Sequence, residues 1–585
     1  MRFDPQATAA MGLWAILSTV AGGATIFVDD DQTTNPADGT SWATAFADLH
    51  DALNAAGAGD EVWIAEGVYH PGIASATFSI PQDVQVFGGF DGVNTSFESR
   101  DPQTFVTTLT GSGPSGNAWH VVTITNGTAA TRLEGVTVEY GRINSQTPIR
   151  DGAGIFIVAD GFIASPVVAD CVVQHNMILA SDGTDGNGAG IGMVALDGGE
   201  VRAEVWDTRV YNNSSARRGG GVHVPKASTV LFVGCEFDSN TTSASTGVSG
   251  GGVFVDGNSY VTFDSCVFMN NFGLRSGGGF GGSDLNASTF VDCHFEANSA
   301  GPGGSGGGFY TTSTAQVDVD RCTFVLNVAD RDGGGLAVDN ANFSVRNSIF
   351  NGNSAGRLGG GVKTLTGDVI NCTVVHNTSG GAGGGVWARD DVHNTIAWNN
   401  TSTGTAQDNV YMTTGMPTTP KTLTYCNVQG GVPAVFGPTS INADPVFLDA
   451  DGLDGVAGTA DDDLRITGSG VSPCLDAGDN SRVGPSTHDV LGRGRFADDH
   501  IAADTGVGSG AIVDIGAVEF PCYSYCTGDL NNDGQVNFDD LNRVLANWGR
   551  SELGCVEGDV DGAGSVDFED LNAILSRWGQ ACSPL

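Results

Sequence analysis

The sequence predicts an all-β chain that folds as a parallel β-helix, a solenoid with one coil per repeat, followed by a small α-helical domain. Three observations predict this architecture: a glycine triplet that recurs along the chain, a cysteine-containing motif with the same spacing, and a duplicated C-terminal segment. Successive glycine triplets lie 24 to 31 residues apart. A repeat of this length buries too little apolar surface to fold on its own, so neighbouring copies must stack into one core.

The glycine triplet marks a tight turn in each predicted coil, because glycine adopts positive φ and lets neighbouring backbones approach closely. An apolar residue follows each triplet and begins a strand. The triplets start at Gly219, Gly250, Gly277, Gly306, Gly333, Gly359 and Gly383, after weaker copies at Gly152-Ala153-Gly154 and Gly188-Ala189-Gly190.

The second motif is Cys-x-Phe/Val-x-x-Asn. Its first two positions are two residues apart and therefore point to one face of a strand, while asparagine suits the turn that follows. We expect an inward column of cysteines, mostly reduced, beside an inward column of phenylalanines. The copies are Cys171/Val173/Asn176, Cys235/Phe237/Asn240, Cys266/Phe268/Asn271, Cys293/Phe295/Asn298, Cys322/Phe324/Asn327, Ser348/Phe350/Asn353 and Cys372/Val374/Asn377.

Both ends of the solenoid need covers, since an open β-helix exposes strand edges. Trp42, Phe46, Leu49 and Leu53 have near-helical spacing and predict a capping helix over 42–55, followed by a strand at Val62-Trp63-Ile64. Residues 441–520 lose the repeat and become rich in aspartate, which predicts a closing region.

Residues 25–440 resemble the right-handed parallel β-helix proteins that bacteria export. That resemblance implies the fold strongly and the activity weakly, since lyases, hydrolases, adhesins and autotransporter passengers share it. An apolar run from Met11 to Val20 precedes Ala21-Gly22-Gly23-Ala24, so residues 1–24 are predicted to be a signal peptide. No later stretch is long enough to span a membrane, and we expect a secreted or cell-surface protein.

A twelve-residue loop with the spacing of a calcium site lies near the C-terminus, and a second copy follows thirty residues later. Such loops place oxygen ligands around one hard cation, and a short helix follows each loop, Leu541–Trp548 and Leu571–Trp578. We expect calcium as the cofactor. The predicted ligands are Asp529, Asn531, Asp533, Gln535, Asn537 and Asp540 in the first loop, and Asp559, Asp561, Ser565, Asp567 and Asp570 in the second.

The duplicated unit at 526–582 resembles the type I dockerin module, an EF-hand-like domain that we assign to residues 521–585. The resemblance implies calcium binding and a cohesin-like or other cell-surface protein partner. Two features depart from the family: Ala563 replaces an oxygen ligand of the second loop, and Phe538 and Phe568 stand where many dockerins carry small hydroxyl residues. A calcium-stabilised domain without a partner is the alternative.

The chain carries 67 acidic and 25 basic residues, a formal charge of -42. Such a surface repels phosphate backbones, which excludes nucleic acids as partners and disfavours anionic membranes. A further acidic cluster extends from Asp449 to Asp463, and both a bound ion and a solvated acidic turn remain open for it. Disulfides are best sought at Cys522, Cys526, Cys555 and Cys582, whose connectivity the sequence does not determine.

Catalytic signatures are sparse, and no catalytic residue is assigned. No zinc-protease or serine-hydrolase motif is present. Asp318 and Asp320 alternate with valines and should point outward, and Asp256 and Asp339 occupy matching repeat positions. We expect none of them to join a dense carboxylate set with a basic partner.

The main hypothesis is therefore an exported, non-catalytic β-helix for adhesion, surface structure or polysaccharide contact, tethered through the calcium-dependent module. The alternative is a polysaccharide lyase or glycoside hydrolase on the same scaffold. A groove that holds three or more acidic side chains with an arginine or lysine would favour the enzyme.

Overall fold

The structure is a computed structural model of the 585-residue chain. It describes residues 23–33, 36–113, 116–144, 147–179, 185–243, 247–312, 316–339, 342–404, 408–413, 422–431, 439–468, 470–497, 499, 502–520, 528, 530, 535–550, 558, 560 and 566–579. The predicted signal peptide lies almost entirely outside these residues.

Four stacked parallel sheets form a β-helix, and each full coil contributes one strand to sheets A, B, C and D in that order. Sheet A has 14 strands among the described residues, sheet B 13, sheet C 10 and sheet D 12. Each strand pairs in parallel with its equivalents in the coils before and after it, as the repeat predicts.

The strands of sheet A are Thr25–Val28, Glu61–Ala65, Gln85–Phe90, Arg132–Glu134, Val167–Ala169, Glu204–Trp206, Thr229–Val233, Tyr260–Asp264, Ser288–Val291, Gln316–Asp320, Asn342–Arg346, Asp368–Ile370, Val392–His393 and Leu423–Thr424. Those of sheet B are Gly67–Tyr69, Thr107–Thr110, Val136–Glu139, Val172–Gln174, Arg209–Tyr211, Glu236–Asp238, Val267–Met269, His294–Glu296, Thr323–Val325, Ile349–Asn351, Thr373–Val375, Ile396–Trp398 and Asn427–Val428.

Sheet C is made of two-residue strands: Arg142–Ile143, Met177–Ile178, Ser214–Ser215, Thr241–Thr242, Phe272–Gly273, Ser299–Ala300, Val328–Ala329, Ser354–Ala355, Thr378–Ser379 and Thr401–Ser402. Sheet D comprises Phe78–Ile80, Val122–Thr125, Ile155–Asp160, Ile191–Leu196, Val222–Val224, Val253–Val255, Phe280–Gly282, Phe309–Thr311, Leu336–Val338, Val362–Thr364, Val386–Ala388 and Val410–Met412.

Three minor strand pairs and six short helices complete the described secondary structure. The pairs are Ile163–Ala164 with Glu200–Val201, Ser112–Gly113 with Gly116–Asn117, and Phe447–Asp449 with Asp463–Ile466. The 3-10 helices are Trp42–Thr44, Phe97–Ser99 and Asn480–Arg482, and the α-helices are α1 (Leu49–Ala55), α2 (Phe538–Ala546) and α3 (Phe568–Ser576). Among the described residues, no helix has the length and apolarity needed to cross a membrane.

The two predicted interior columns are confirmed. Every member of both columns is buried, and neighbouring phenylalanine rings stack with centroids 4.5 to 4.9 Å apart. The cysteines are free thiols, as expected for vertically stacked positions. The columns comprise Cys235, Cys266, Cys293, Cys322 and Cys372, and Phe237, Phe268, Phe295, Phe324 and Phe350.

The motif asparagines form a fully buried ladder at the corner between sheets B and C. Asn327 shows the pattern: its Nδ2 donates to the Phe295 carbonyl at 2.8 Å and to Asn353 Oδ1 at 2.9 Å. Its Oδ1 accepts from the backbone N of Asn298 at 3.0 Å. Each rung thus satisfies backbone groups of the adjacent coil, which the sequence-level assignment of asparagine to a local turn did not anticipate.

The N-terminal helix is shorter than predicted. Trp42–Thr44 forms only a 3-10 turn, and α1 begins at Leu49 after the side chain of Asp48 caps its N-terminus. Phe46 is extended in between, because its backbone N donates to the Phe27 carbonyl at 2.9 Å. The predicted strand at 62–64 is confirmed as Glu61–Ala65. The capping role of α1 stays a prediction.

The segment 441–520, called the closing segment here, lies along the outer side of the last coils. Ile441 bridges to Asn427 of the last strand of sheet B, and the chain then returns over that sheet. The backbone N of Ala517 donates to Thr373 Oγ1 at 2.9 Å, and Asn351 Nδ2 donates to Asp462 Oδ2 at 2.9 Å. The closing segment therefore covers the outer face of sheet B beside its C-terminal strands.

Candidate functional site

In the last coils of sheet A, titratable side chains occupy most positions of two neighbouring outward columns. Strand register aligns Asp318, Ser344 and Asp368 in one column, and Asp320, Arg346, Ile370 and His393 in the next. Asp391 directly precedes Val392, which pairs with Val369, and so extends the first column. We call Asp318, Asp320, Arg346, Asp368, Asp391 and His393 the sheet A polar face.

These side chains point outward because they alternate with buried valines. Val317 and Val319 flank Asp318 and are buried in the core, as are Val369 and Val392 next to Asp368 and Asp391. The predicted outward orientation of Asp318 and Asp320 is confirmed.

The stacking of strands sets the spacing of the carboxyl groups. Adjacent strands lie about 4.8 Å apart, so the backbones at Asp368 and Asp391 are about that far apart, and those at Asp318 and Asp368 about twice as far. The sheet A polar face therefore offers one close carboxyl pair and a third carboxyl group two coils away.

Burial raises the pKa of two of these carboxyl groups. Burial raises the pKa of Asp368, and the charges of Asp391 and Asp390 raise it further. Burial also raises the pKa of Asp318, against the opposing effects of Gln316, whose Nε2 donates at 2.7 Å, and of Arg346. A carboxyl group that keeps its proton at higher pH suits the role of a general acid.

Basic side chains lie among the carboxylates. Arg346 Nε donates to Ser344 Oγ at 2.6 Å, which holds its guanidinium between the strands of Asp318 and Asp368. Arg321 bridges Asp320 at 3.1 Å and Asp292 at 2.7 Å.

His393 is the most buried ionisable group of the face. Its Nδ1 lies 2.6 Å from Thr424 Oγ1, and its buried Nε2 has no hydrogen-bond partner among the described residues. Burial and then Arg482 lower the pKa of His393 to about 4, against the opposing charges of Asp391 and Asp479. The imidazole is therefore neutral at physiological pH.

The closing segment forms a wall beside this face. Asp479 and Asn394 exchange hydrogen bonds of 2.8 and 3.1 Å, and Arg321 Nη1 donates to Ser486 Oγ at 3.2 Å. Gly484 lies directly against Arg346, where a Cβ would collide with the guanidinium. The wall helps to explain why outward-facing carboxyl groups on this sheet are partly desolvated.

Contrary to expectation, Asp318 and Asp320 share one sheet face with further carboxyl groups and with the basic side chains Arg346 and Arg321. Sequence reasoning identified Asp318 and Asp320 but missed Asp368, Asp391, Arg346 and His393. The signal was available, since Asp368 and Asp391 precede the same buried valine position in successive coils. Asp256 and Asp339 also have basic partners: Arg218 lies 2.9 Å from Asp256, and Lys363 of sheet D pairs with Asp339.

The described part of the C-terminal module contains two similar helices, α2 and α3. Asp540 and Asp570, the last predicted ligand of each loop, are buried, and each accepts two backbone N–H groups at 2.5 to 2.8 Å. Asn537 and Asp567 cap α2 and α3, which explains why both helices start three residues earlier than predicted. They end at Ala546 and Ser576 instead of Trp548 and Trp578.

Most of the predicted calcium ligands lie outside the described residues: Asp529, Asn531, Asp533, Asp559, Asp561 and Ser565. Gln535, Asn537, Asp540, Asp567 and Asp570 are described, and their oxygen donors suit a hard cation. Within the described ranges, no group of three or more histidine, cysteine, aspartate or glutamate residues could hold a metal ion. The four cysteines proposed for disulfides, Cys522, Cys526, Cys555 and Cys582, also lie outside them.

Comparison with known proteins supports the fold. Residues 221–402 match the family model described as "Right handed beta helix region". The chain thus contains a right-handed parallel β-helix.

No curated protein matches the sequence. The solved structures that resemble the chain include pectate lyase Pel9A, with a TM-score of 0.39, 13% identity and coverage of 86% of this chain and 97% of the other. They also include a rhamnogalacturonan lyase, with a TM-score of 0.32, 12% identity and coverage of 76% of this chain and 97% of the other. Similarities this weak do not assign an activity.

Proposed function

We propose that this protein cleaves polysaccharide chains at the sheet A polar face. The observation that carries the proposal is the placement of Asp368 beside Asp391, partly desolvated and within one face that also holds Asp318 and Arg346. A polysaccharide-cleaving enzyme, the alternative weighed from the sequence, needs several acidic side chains close to an arginine or lysine, and this face places Asp318, Asp368 and Asp391 around Arg346.

The chemistry follows from the two carboxyl environments. Asp368 retains a proton at higher pH than an ordinary aspartate and would donate it to the leaving glycosidic oxygen. Asp391, which accepts hydrogen bonds from Thr422 at 2.7 and 3.1 Å, would act as the carboxylate that stabilises the positive charge developing at the sugar ring. Once the leaving sugar departs, water would add to the anomeric carbon and give its proton to the Asp368 carboxylate, which restores the acid. Asp318 and Arg346 would then position the neighbouring sugar unit.

The negative charge of the chain favours glycoside hydrolysis over β-elimination. An elimination reaction needs a uronate substrate, and a chain with a formal charge of -42 repels polyanions unless a cation bridges them. Neutral glycans are therefore the first substrates to test.

The full-length protein should be incubated with a panel of neutral polysaccharides and polyuronates, with and without calcium. Reducing ends report hydrolysis, and an ultraviolet-absorbing unsaturated product reports elimination. We expect new reducing ends from a neutral glycan, and their loss in Asp368→Asn/Asp391→Asn. Cleavage that persists in this double variant would overturn the site, and unsaturated product from a polyuronate would replace hydrolysis with elimination.

We further propose that the protein is exported and that its C-terminal module binds calcium and tethers the chain to a surface protein. Exposed apolar side chains occur twice in equivalent positions, Phe538 with Phe568 and Trp548 with Trp578, and support a docking role for this module. Pull-down of the full chain with and without calcium against exported proteins of the same cell tests the tether. Capture of the same partner protein in the absence of calcium would contradict the proposal.

A further inference from the structure

A separate cleft of about 430 Å³ opens between the closing segment and sheet B. The closing segment contributes most of the lining, with the run Asp461–Arg465 and with Leu491, Arg493 and Val518, and sheet B contributes Ile349. Its volume lies within the range of ligand pockets, roughly 300–1,000 Å³. It lies on sheet B and shares no residue with the sheet A polar face.

The cleft presents ionised acceptors and cationic donors side by side. Asp463 and Arg465 form a bidentate pair at 2.6 to 3.1 Å, and Arg465 lowers the pKa of Asp463. The hydroxyl of Thr459, 2.7 Å from Asp461, lowers the pKa of Asp461.

Arg493 adds a further hydrogen-bond donor to the cleft. Its Nη1 is buried, and the described residues provide no hydrogen-bond acceptor for it. A buried donor without a partner costs free energy, and a ligand hydroxyl in the cleft would satisfy it.

The walls are held in place before any ligand binds. Asp462 accepts from the backbone N of Gly458 at 2.7 Å and from Asn351 Nδ2 of sheet B at 2.9 Å. These bonds fix the loop that carries Asp461 and Asp463 to the β-helix. A pre-formed cleft lowers the entropic cost of binding.

We propose that this cleft binds one unit of a neutral sugar chain. Adjacent carboxylate and guanidinium groups match the alternating donors and acceptors of vicinal hydroxyls, and the half-exposed Leu491 offers an apolar surface to the C–H face of a sugar ring. Three aspartates face only two arginines in the lining, so an anionic sugar is disfavoured. The cleft would hold a glycan beside the β-helix without taking part in its cleavage.

The test is isothermal titration calorimetry on the full chain carrying Asp368→Asn, so that no substrate is consumed. The probes are maltopentaose, cellopentaose, xylopentaose, mannopentaose and, as the charged comparison, tetragalacturonate. We expect at least one neutral pentasaccharide to bind, and Leu491→Ala and Arg493→Gln each to weaken it about tenfold, close to 1.4 kcal/mol. Leu453→Ala, which removes a fully exposed leucine of the same segment outside the cleft, should leave the affinity unchanged.

Equal affinity in Leu491→Ala, Leu453→Ala and the parent would overturn the proposal. So would exclusive binding of tetragalacturonate. Binding that survives Leu491→Ala but is lost in Asp318→Ala would place the glycan at the sheet A polar face instead, which contradicts the cleft while leaving the proposed hydrolysis standing.

Discussion

Two stretches of sheet A both have an apolar interior but differ in the residues on their outer faces. From Thr229 to Val291, the first outward column reads Leu231, Thr262 and Thr289, and the inward residues are Phe232, Phe263 and Phe290. From Gln316 to His393, the aligned inward residues are valines, while the same outward column reads Asp318, Ser344, Asp368 and Asp391. The closing segment contacts the coils from Arg321 onward.

This difference distinguishes the inward positions, which stabilise the fold, from the outward positions, which are free to form a site. Interior positions must repeat, because each side chain packs on its equivalent in the next coil. Outward positions carry no such constraint, so carboxyl groups concentrated in a few coils, beside a segment that partly desolvates them, indicate a site.

The largest expected effect is on the interior. Asn327→Ala should lower the free energy of unfolding by about 3–5 kcal/mol, because it leaves buried backbone groups of Asn298 and Phe295 without partners. Asn342→Ala, on an exposed asparagine of sheet A, should change it by less than about 0.5 kcal/mol. Urea unfolding of both variants provides the measurement. Equal midpoints would mean that the ladder contributes little to stability.

The closing segment should lose stability as the pH rises. Burial raises the pKa of Asp514 to about 7, against the opposing effects of hydrogen bonds from Phe520 and Asp476 and the charge of Arg495. The folded state holds this proton more tightly than the unfolded chain, whose aspartates have a pKa of about 3.9. The stabilisation is therefore complete below about pH 4 and disappears as the pH approaches 7.

We expect a loss of about 2–4 kcal/mol between pH 4 and pH 8. Buried Glu519, whose pKa is also raised, acts in the same direction. Asp514→Asn should flatten this dependence, whereas Asp504→Asn, at an exposed position of the same segment, should retain it. Thermal unfolding across that pH range would contradict the account if all three proteins had the same slope.

The smallest effect concerns the C-terminal module and is confined to it. Asp540→Asn should weaken calcium binding about tenfold or more, since the last loop position supplies a carboxylate to the ion, while Asp539→Asn should change it little. Calorimetry on the full chain should also show two calcium-binding events. The tighter event occurs at the first loop and is removed by Asp529→Ala, and the weaker event occurs at the second loop and is removed by Asp559→Ala. If Asp559→Ala removed the tighter event, the order would be reversed.

The sequence was most informative where a physical constraint repeats. The glycine-rich turns, the cysteine and phenylalanine columns and the parallel pairing of neighbouring coils could all be predicted, because stacked coils require the same residue types at the same offset. The asparagine ladder was misread as a local turn, since its partners lie one coil away. The sheet A polar face was missed because Arg346, Asp368 and Asp391 become neighbours only through strand register and the return of the closing segment.

The most direct test of the central claim is the initial rate of polysaccharide cleavage by Asp368→Asn, compared with Asp264→Asn from the earlier stretch of the same sheet. Both substitutions remove one outward carboxylate from sheet A, and unfolding midpoints establish that both proteins are folded. The account predicts that Asp264→Asn cleaves at the parental rate and that Asp368→Asn loses at least about 100-fold, as removal of a general acid does. Equal rates in the two variants would contradict it.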